Sequence, residues 1–262
     1  MRKFGLKLWS GDFIKNKEFV KSAEKAIKDG QFGYVELFAL PDTFNDTKTE
    51  VLAHLKGVQA IIHAPHARQA FNLSDKEAFD DNRRKLKDSQ QFADLLDAEF
   101  IILHPGFREN PNGLEENIRQ FKAFKEARLI IENMPFECSS THHDMEGVTV
   151  AEIKTFINET KCGFCLDFSH AICGANHYKY NIYKILEEFN KLNPKLYHLC
   201  DGNITDTVDE HLHYGEGNYD LARLITEYTH DNSLITMETG HGIPNDVTPW
   251  LEDLRYIKAL IE

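Results

Sequence analysis

Asp209, His211 and His213 stand in the run DEHLH beside a glycine turn, Gly215 to Gly217, and just upstream lie His198 and Asp201. All belong to one stretch, KLYHLCDGNITDTVDEHLHYGEG, residues 195–217. Neutral imidazoles and carboxylates are the ligands that borderline divalent metals such as zinc prefer. The stretch opens as a buried strand and closes as a loop. Folding alone gives little reason to crowd so many such groups there, so it reads as part of a metal site.

The same residue types recur after other apolar runs. His63 and His66 close IIHAPH, His104 closes ILHPG, and Glu132 sits in IIENMP. Asp167 and His170 fall in CLDFSH, and Glu238 in ITMETG. A carboxylate at the end of a buried strand has to be paired or bound to a metal. Glu132, Asp167 and Glu238 are therefore ligand candidates, with a structural ion pair as the plainer alternative. Pro65 and Pro105 flank His66 and His104 and fix the local backbone, which could aim each ring at a metal or a substrate. His63 reads as a residue behind the ligands rather than one of them. His213 and His241 read as substrate contacts, whereas His142 and His143 in CSSTHHDMEG, and His54, His177 and His230, read as surface groups.

These residues need a scaffold that brings distant strand ends together. The strand candidates are 4–9, 34–40, 60–65, 100–106, 128–135, 163–170, 195–201 and 233–240. Their near-continuous apolar character suits parallel strands covered on both faces. Amphipathic segments separate them, among them 16–29 and 75–98, and GEGN (215–218) reads as a turn into a helix that begins YDLARL. Eight strands alternating with helices over 262 residues is the rhythm of a single α/β domain folded as a (β/α)₈ TIM barrel, whose catalytic groups gather at the C-terminal ends of the strands. An open doubly wound sheet is the alternative, but no G-x-G-x-x-G follows the first strand.

Composition narrows the function classes. Hydrophobic residues make up 42% of the chain and charged residues 27%, ordinary values for a globular protein with a core. No apolar run reaches the roughly 18 residues that span a bilayer, and MRKFGLKLWSGDF does not read as a signal peptide, so a cytoplasmic address is expected; a monomer is the default expectation, with nothing in the sequence that fixes it. Five scattered cysteines argue against a disulfide framework. Cys162 and Cys165 form C-x-x-C on a strand, where that spacing points them to opposite faces, so they read as buried hydrophobes. The net charge of −12 is no footprint for nucleic acid, although bound divalent cations would reverse its sign locally.

From APH near residue 65 to METG near 240, the chain resembles the endonuclease IV group (AP endonuclease family 2) of the xylose isomerase-like TIM barrels. The motifs are PH with NL six residues on, HPG, IEN, D-x-x-H, H-L-x-D, D-x-H followed by GEGN, and a glutamate on the last strand. The resemblance implies three metals, usually zinc, with manganese or iron(II) able to use the same ligands. His66, His104 and Glu132 would bind the first. Glu132, Asp167, His198 and Glu238 would bind the second, and His170, Asp209 and His211 the third. Glu132 and Glu238 would take part in catalysis. The implied activity is DNA repair, by hydrolysis of a phosphodiester 5′ to an abasic site. Two ions sharing a carboxylate would activate the water, and a third would stabilise the leaving oxygen. The family's basic, aromatic loop after strand two is replaced here by ALPDTFNDTKTE, which leaves Arg68 and Gln69, after His66, as the groups to probe a duplex.

Two other readings compete. Glu36 in YVELF resembles a strand of related sugar epimerases, which suggests a single-metal isomerase, epimerase or dehydratase acting on a small sugar or cyclitol. Glu132 and Glu238 would then exchange protons with carbon on opposite faces of the substrate. That reading gives His66, Asp209 and His211 no ligand role and ranks second. A non-catalytic metal- or nucleic-acid-binding protein that kept the barrel ranks third.

Overall fold

Each apolar run forms one parallel strand. The computed structural model describes residues 2–109, 111–138, 141–240 and 245–261. The strands are β1 (Lys3–Trp9), β2 (Tyr34–Phe38), β3 (Ala60–His63), β4 (Ile101–Leu103), β5 (Leu129–Glu132), β6 (Gly163–Asp167), β7 (Leu196–Leu199) and β8 (Leu234–Met237). They pair in sequence order, and β8 returns to β1 to close the barrel. The helices are α1 (Asp12–Lys15), α2 (Lys17–Lys28), α3 (Phe44–Leu55), α4 (Phe79–Leu96), α5 (Gly113–Phe124), α6 (Val150–Thr160), α7 (Phe168–His177), α8 (Ile182–Asn190), α9 (Leu221–Tyr228) and α10 (Thr248–Ile261). The (β/α)₈ barrel expected from the sequence is the fold observed. No helix among the described residues is long and apolar enough to cross a membrane.

Alternation along the strands positions the site. Outward residues such as Val35, Leu37, Ile62, Ile131 and Leu166 join the apolar layer under the helices. Inward residues form rungs. The lower rung is Tyr34, Ile61, Ile102, Ile130, Cys165, Leu196 and Leu234. Two residues further along each strand, with the side chain on the same face, come Glu36, His63, His104, Glu132, Asp167, His198 and Thr236. An apolar plug thus supports a polar rung. On β1 the lower position is Gly5, where an added Cβ would lie 2.3 Å from the Tyr34 ring. Cys162 packs against the outer layer while Cys165 faces the interior, which is the opposed arrangement that strand geometry requires.

Candidate metal centre

Glu132 ends β5 fully buried and stands at the middle of the polar rung. Its Oε2 accepts a hydrogen bond from His104 Nε2 at 3.2 Å and lies 3.5 Å from His63 Nε2. Its Oε1 lies 3.3 Å from Nδ1 of both His170 and His198. Neither Glu132 Oε1 nor His198 Nδ1 makes a hydrogen bond, although both are buried. An unsatisfied buried polar atom is costly, and two of them facing each other fit a cation. Glu132, Asp167, His198 and Glu238 each offer a ligand atom within 4.8 Å of the others, and so do His63, His104 and Glu132.

The surrounding residues hold these ligands in place. His198 Nε2 donates to Glu36 Oε2 at 2.8 Å, which leaves Nδ1 facing the cluster, the orientation that metal-binding imidazoles receive from a supporting carboxylate. Thr236 Oγ1 also donates to Glu36 Oε2, at 2.7 Å, and Tyr34 Oη completes the chain at 2.8 Å from Thr236 Oγ1. Asp167 caps α7 by accepting from His170 N at 2.7 Å, which leaves its second oxygen for the cluster. Asn133 ties β5 to β6. It donates to Asp167 O at 2.9 Å and accepts from Asp167 N at 2.8 Å.

The electrostatics are those of an anionic cluster that attracts cations. Burial pushes the Asp167 carboxyl up and, with Glu132, Glu238 and Asp209 adding to it against the pull of His170, leaves it at about 7. Burial works against charge on His198, but Cys165, Glu238, Glu36 and Glu132 outweigh it and hold the ring well above its ordinary pKa. Burial takes His104 down to about 4, against the pull of Glu132. Shifts of this kind in a convergent cluster mark functional sites.

A second arm adjoins the first. His211 Nδ1 is 2.7 Å, and His170 Nε2 3.5 Å, from Asp209 Oδ2. The other Asp209 oxygen accepts from Ser169 Oγ at 2.6 Å. His170 Nδ1 donates to Asn133 O at 2.9 Å, so Nε2 faces Asp209. His211 Nε2 reaches to 3.5 Å from Glu238 Oε2, which joins the arm to the Glu132 cluster.

Asp201, which the sequence places with His198 at the strand end, instead builds the loop that carries the arm. Its carboxylate accepts from Gly215 N at 2.8 Å, Gly217 N at 3.1 Å, Tyr219 N at 3.1 Å and its neighbour Gly202 N at 2.9 Å. Four backbone donors saturate it. Glycine is required at 217, because an added Cβ would lie 2.4 Å from Gly202 O. Asp201→Ala should therefore cost about 3 kcal/mol or more, since each orphaned buried donor costs about 1–3 kcal/mol. Denaturant unfolding measures this, and a loss under about 1 kcal/mol would show that the loop stands without its carboxylate.

Other expected residues have different surroundings. His66 follows β3 outside the four-residue group, with its ring stacked on His104 at 5.2 Å between centroids; His63 has the nearer approach to Glu132. Arg68 is exposed, whereas Gln69 Oε1 accepts from His66 N at 3.3 Å and serves the turn. His213 is held by Asp253, 2.7 Å from its Nδ1, and its ring is partly exposed. His241 lies outside the described residues. Sequence reasoning missed Lys7, which forms an ion pair with Glu238 and another with Glu36 at 3.2 Å. Burial lowers the pKa of its ammonium, but Glu238, Glu36 and Glu132 raise it further and keep the group charged. The available signal was a charge inside each of two apolar strands, FGLKLW and YVELF, although their register, Lys7 opposite Glu36, was not in the sequence.

A model of the xylose isomerase-like TIM barrel family matches residues 24–260. The chain belongs to that family. Endonuclease 4 of Thermus thermophilus is 25% identical over 219 residues, which cover 79% of this chain and 76% of that protein. Probable endonuclease 4 of Halothermothrix orenii is 26% identical over 175 residues, 58% of this chain and 61% of the relative, so the match spans less than two thirds of that protein's length. Among solved structures, a D-tagatose 3-epimerase-like protein superimposes with a TM-score of 0.72 at 20% identity, covering 99% of this chain and 97% of its own. The crystal structure of an endonuclease IV from Thermus thermophilus gives 0.70 at 20% identity, covering 99% and 98%. At such identities the structural likeness speaks to the fold alone. Family membership and the clustered ligands together indicate an enzyme with a metal site.

Proposed function

We propose that this protein is a divalent-metal-dependent phosphodiester hydrolase that incises DNA on the 5′ side of abasic sites, working as a cytoplasmic monomer. The observation that carries the reading is the second arm. A single-metal sugar enzyme would use Glu132, Asp167, His198 and Glu238, and would leave His170, Asp209 and His211 without a ligand role. The endonuclease 4 relatives point the same way.

On this reading up to three ions are held, zinc first, with manganese or iron(II) able to use the same donors. His66, His104 and Glu132 hold one, the group of Glu132, Asp167, His198 and Glu238 a second, and His170, Asp209 and His211 a third. When bound, such ions lower the pKa of water and polarise a phosphoryl oxygen. The chain's own residues do the rest. Glu132 stands between two groups and ties them together. Glu36 and Asn133 orient His198 and His170. Glu238 links the rung to the arm, and Arg68 offers an exposed cation to the DNA backbone.

Metal content by elemental analysis tests this, together with incision of a duplex bearing one abasic site. Near three equivalents of zinc per chain with incision, falling toward two equivalents in His211→Ala, is the expected result. Near one equivalent, unchanged by the substitution and without incision, overturns it. The second reading is a single-metal sugar isomerase, epimerase or dehydratase. It is favoured by Glu36 beneath the cluster, and epimerisation of a ketose by the one-equivalent protein would establish it.

A further inference from the structure

Glu36, His63 and Glu238 form a third group whose ligand atoms lie within 4.8 Å of one another. All three are buried, and their corner opens toward β1. From there Lys7 reaches in, with its ammonium paired to Glu238 Oε1 and lying 3.2 Å from Glu36 Oε1. Its side chain is 17% exposed, and Phe38, whose ring centroid is 5.9 Å from Nζ, walls it on one side. Trp9, stacked on Phe38 at 4.3 Å, backs that wall.

We propose that Lys7 is a tethered cation that fills the Glu36–His63–Glu238 corner and keeps a divalent ion out of it. Two carboxylates and an imidazole at this spacing are otherwise a ligand set, and the corner shares Glu238 with the Glu132 group. A lysine is a compact point charge with three donors. It can neutralise both carboxylates without drawing either into coordination. The consequence is directional. Glu238 Oε1 is paired with Lys7 on one side and lies 3.2 Å from His198 Nδ1 on the other, while Oε2 faces His211, 3.5 Å from its Nε2. Glu36 is likewise kept as the hydrogen-bond acceptor of His198 rather than released as a ligand. Lys7 is thus a positioning residue, which restricts divalent ions to the side of the cluster that carries the second arm.

The inference rests on the reading that the cluster holds divalent ions. Its test is zinc stoichiometry per chain, by elemental analysis after gel filtration, in wild type, Lys7→Met and the double variant Lys7→Met/Glu36→Gln. Lys7→Met should bind one equivalent more than wild type, and the double variant should lose that gain. Equal stoichiometry in wild type and Lys7→Met overturns the proposal while leaving the metal reading intact. Absence of zinc from all three overturns both. A wild-type measurement covers the case in which the variants do not fold: reductive methylation with peptide mapping, with and without zinc. Lys7 should stay protected in both states, and reactivity that appears on zinc addition would show that the metal displaces the lysine and would overturn the proposal.

Discussion

Glu132→Gln should lower the rate of abasic-site incision by on the order of 10³-fold or more at saturating zinc. Glu132 has four imidazoles around its two oxygens, at 3.2 and 3.5 Å on one side and 3.3 Å twice on the other. One of those oxygens has no hydrogen-bond partner. The amide removes the negative charge that several ligands share, and it aims an N–H at nitrogens that must face a cation. Metal-assisted transition-state stabilisation is worth several kcal/mol, and about 1.4 kcal/mol corresponds to each tenfold in rate. Bound zinc should fall in the same preparations, while thermal melting verifies that the barrel is intact. A folded variant that keeps its zinc and more than a tenth of wild-type activity would remove Glu132 from the mechanism.

The second large effect is expected on stability. Zinc should raise the melting temperature, and the increment should widen as pH rises from 6 to 8.5. The metal-free chain holds excess protons over most of this window, with His66 and His104, held low by burial, opposing this only near its acid end. His211 is pushed down by burial, but Asp209 and Glu238 together outweigh this and raise it to about 10. A group raised on folding gives stability that is complete below its unfolded pKa and is lost as pH climbs through the folded value. For His211 that loss runs from about 6.5 to 10. His170 and His198, also raised, act in the same direction. For Asp167, raised to about 7, the loss starts near its unfolded value of about 4 and finishes just above neutrality. Glu132, Glu238 and Asp209 are depressed, so their contribution is lost only in acid, outside this window. Zinc requires the deprotonated ligands, so its binding strengthens as the metal-free chain weakens. With zinc about a hundredfold above its Kd the gain is about 2.7 kcal/mol, or on the order of 5–10 °C for a chain of this size. Scanning calorimetry with zinc against chelator decides it. An increment that stays constant or narrows with pH would mean that these groups do not bind the ion.

Strand count and the polar rung of the candidate site were legible because they follow from local rules. Apolar runs at regular spacing specify parallel strands, and a polar residue ending a buried strand must find a partner at the barrel's C-terminal mouth. Glu132, Asp167, His198 and Glu238 stand out in the sequence for that reason. The alternation of β2 likewise directs Tyr34 and Glu36 to one face before any coordinate is known.

What the tertiary structure decided is which polar residue meets which. Asp201 and Asp209 are both acids in one stretch, yet Asp201 is saturated by four backbone donors while Asp209 faces two imidazoles. That difference depends on how the loop turns back, since the Asp201–Leu212 bridge folds the 201–212 segment upon itself. His63 and His66 differ by three residues, and the strand's end sends one ring to Glu132 and the other to the stack on His104. The pairing of Lys7 with Glu36 and Glu238 needs the β1–β2 register and the closure of β8 on β1. Patterning along a chain sets which face a side chain occupies, because that depends on backbone period alone. Its partner across the barrel depends on register, twist and closure, which are fixed only when the strands pack together.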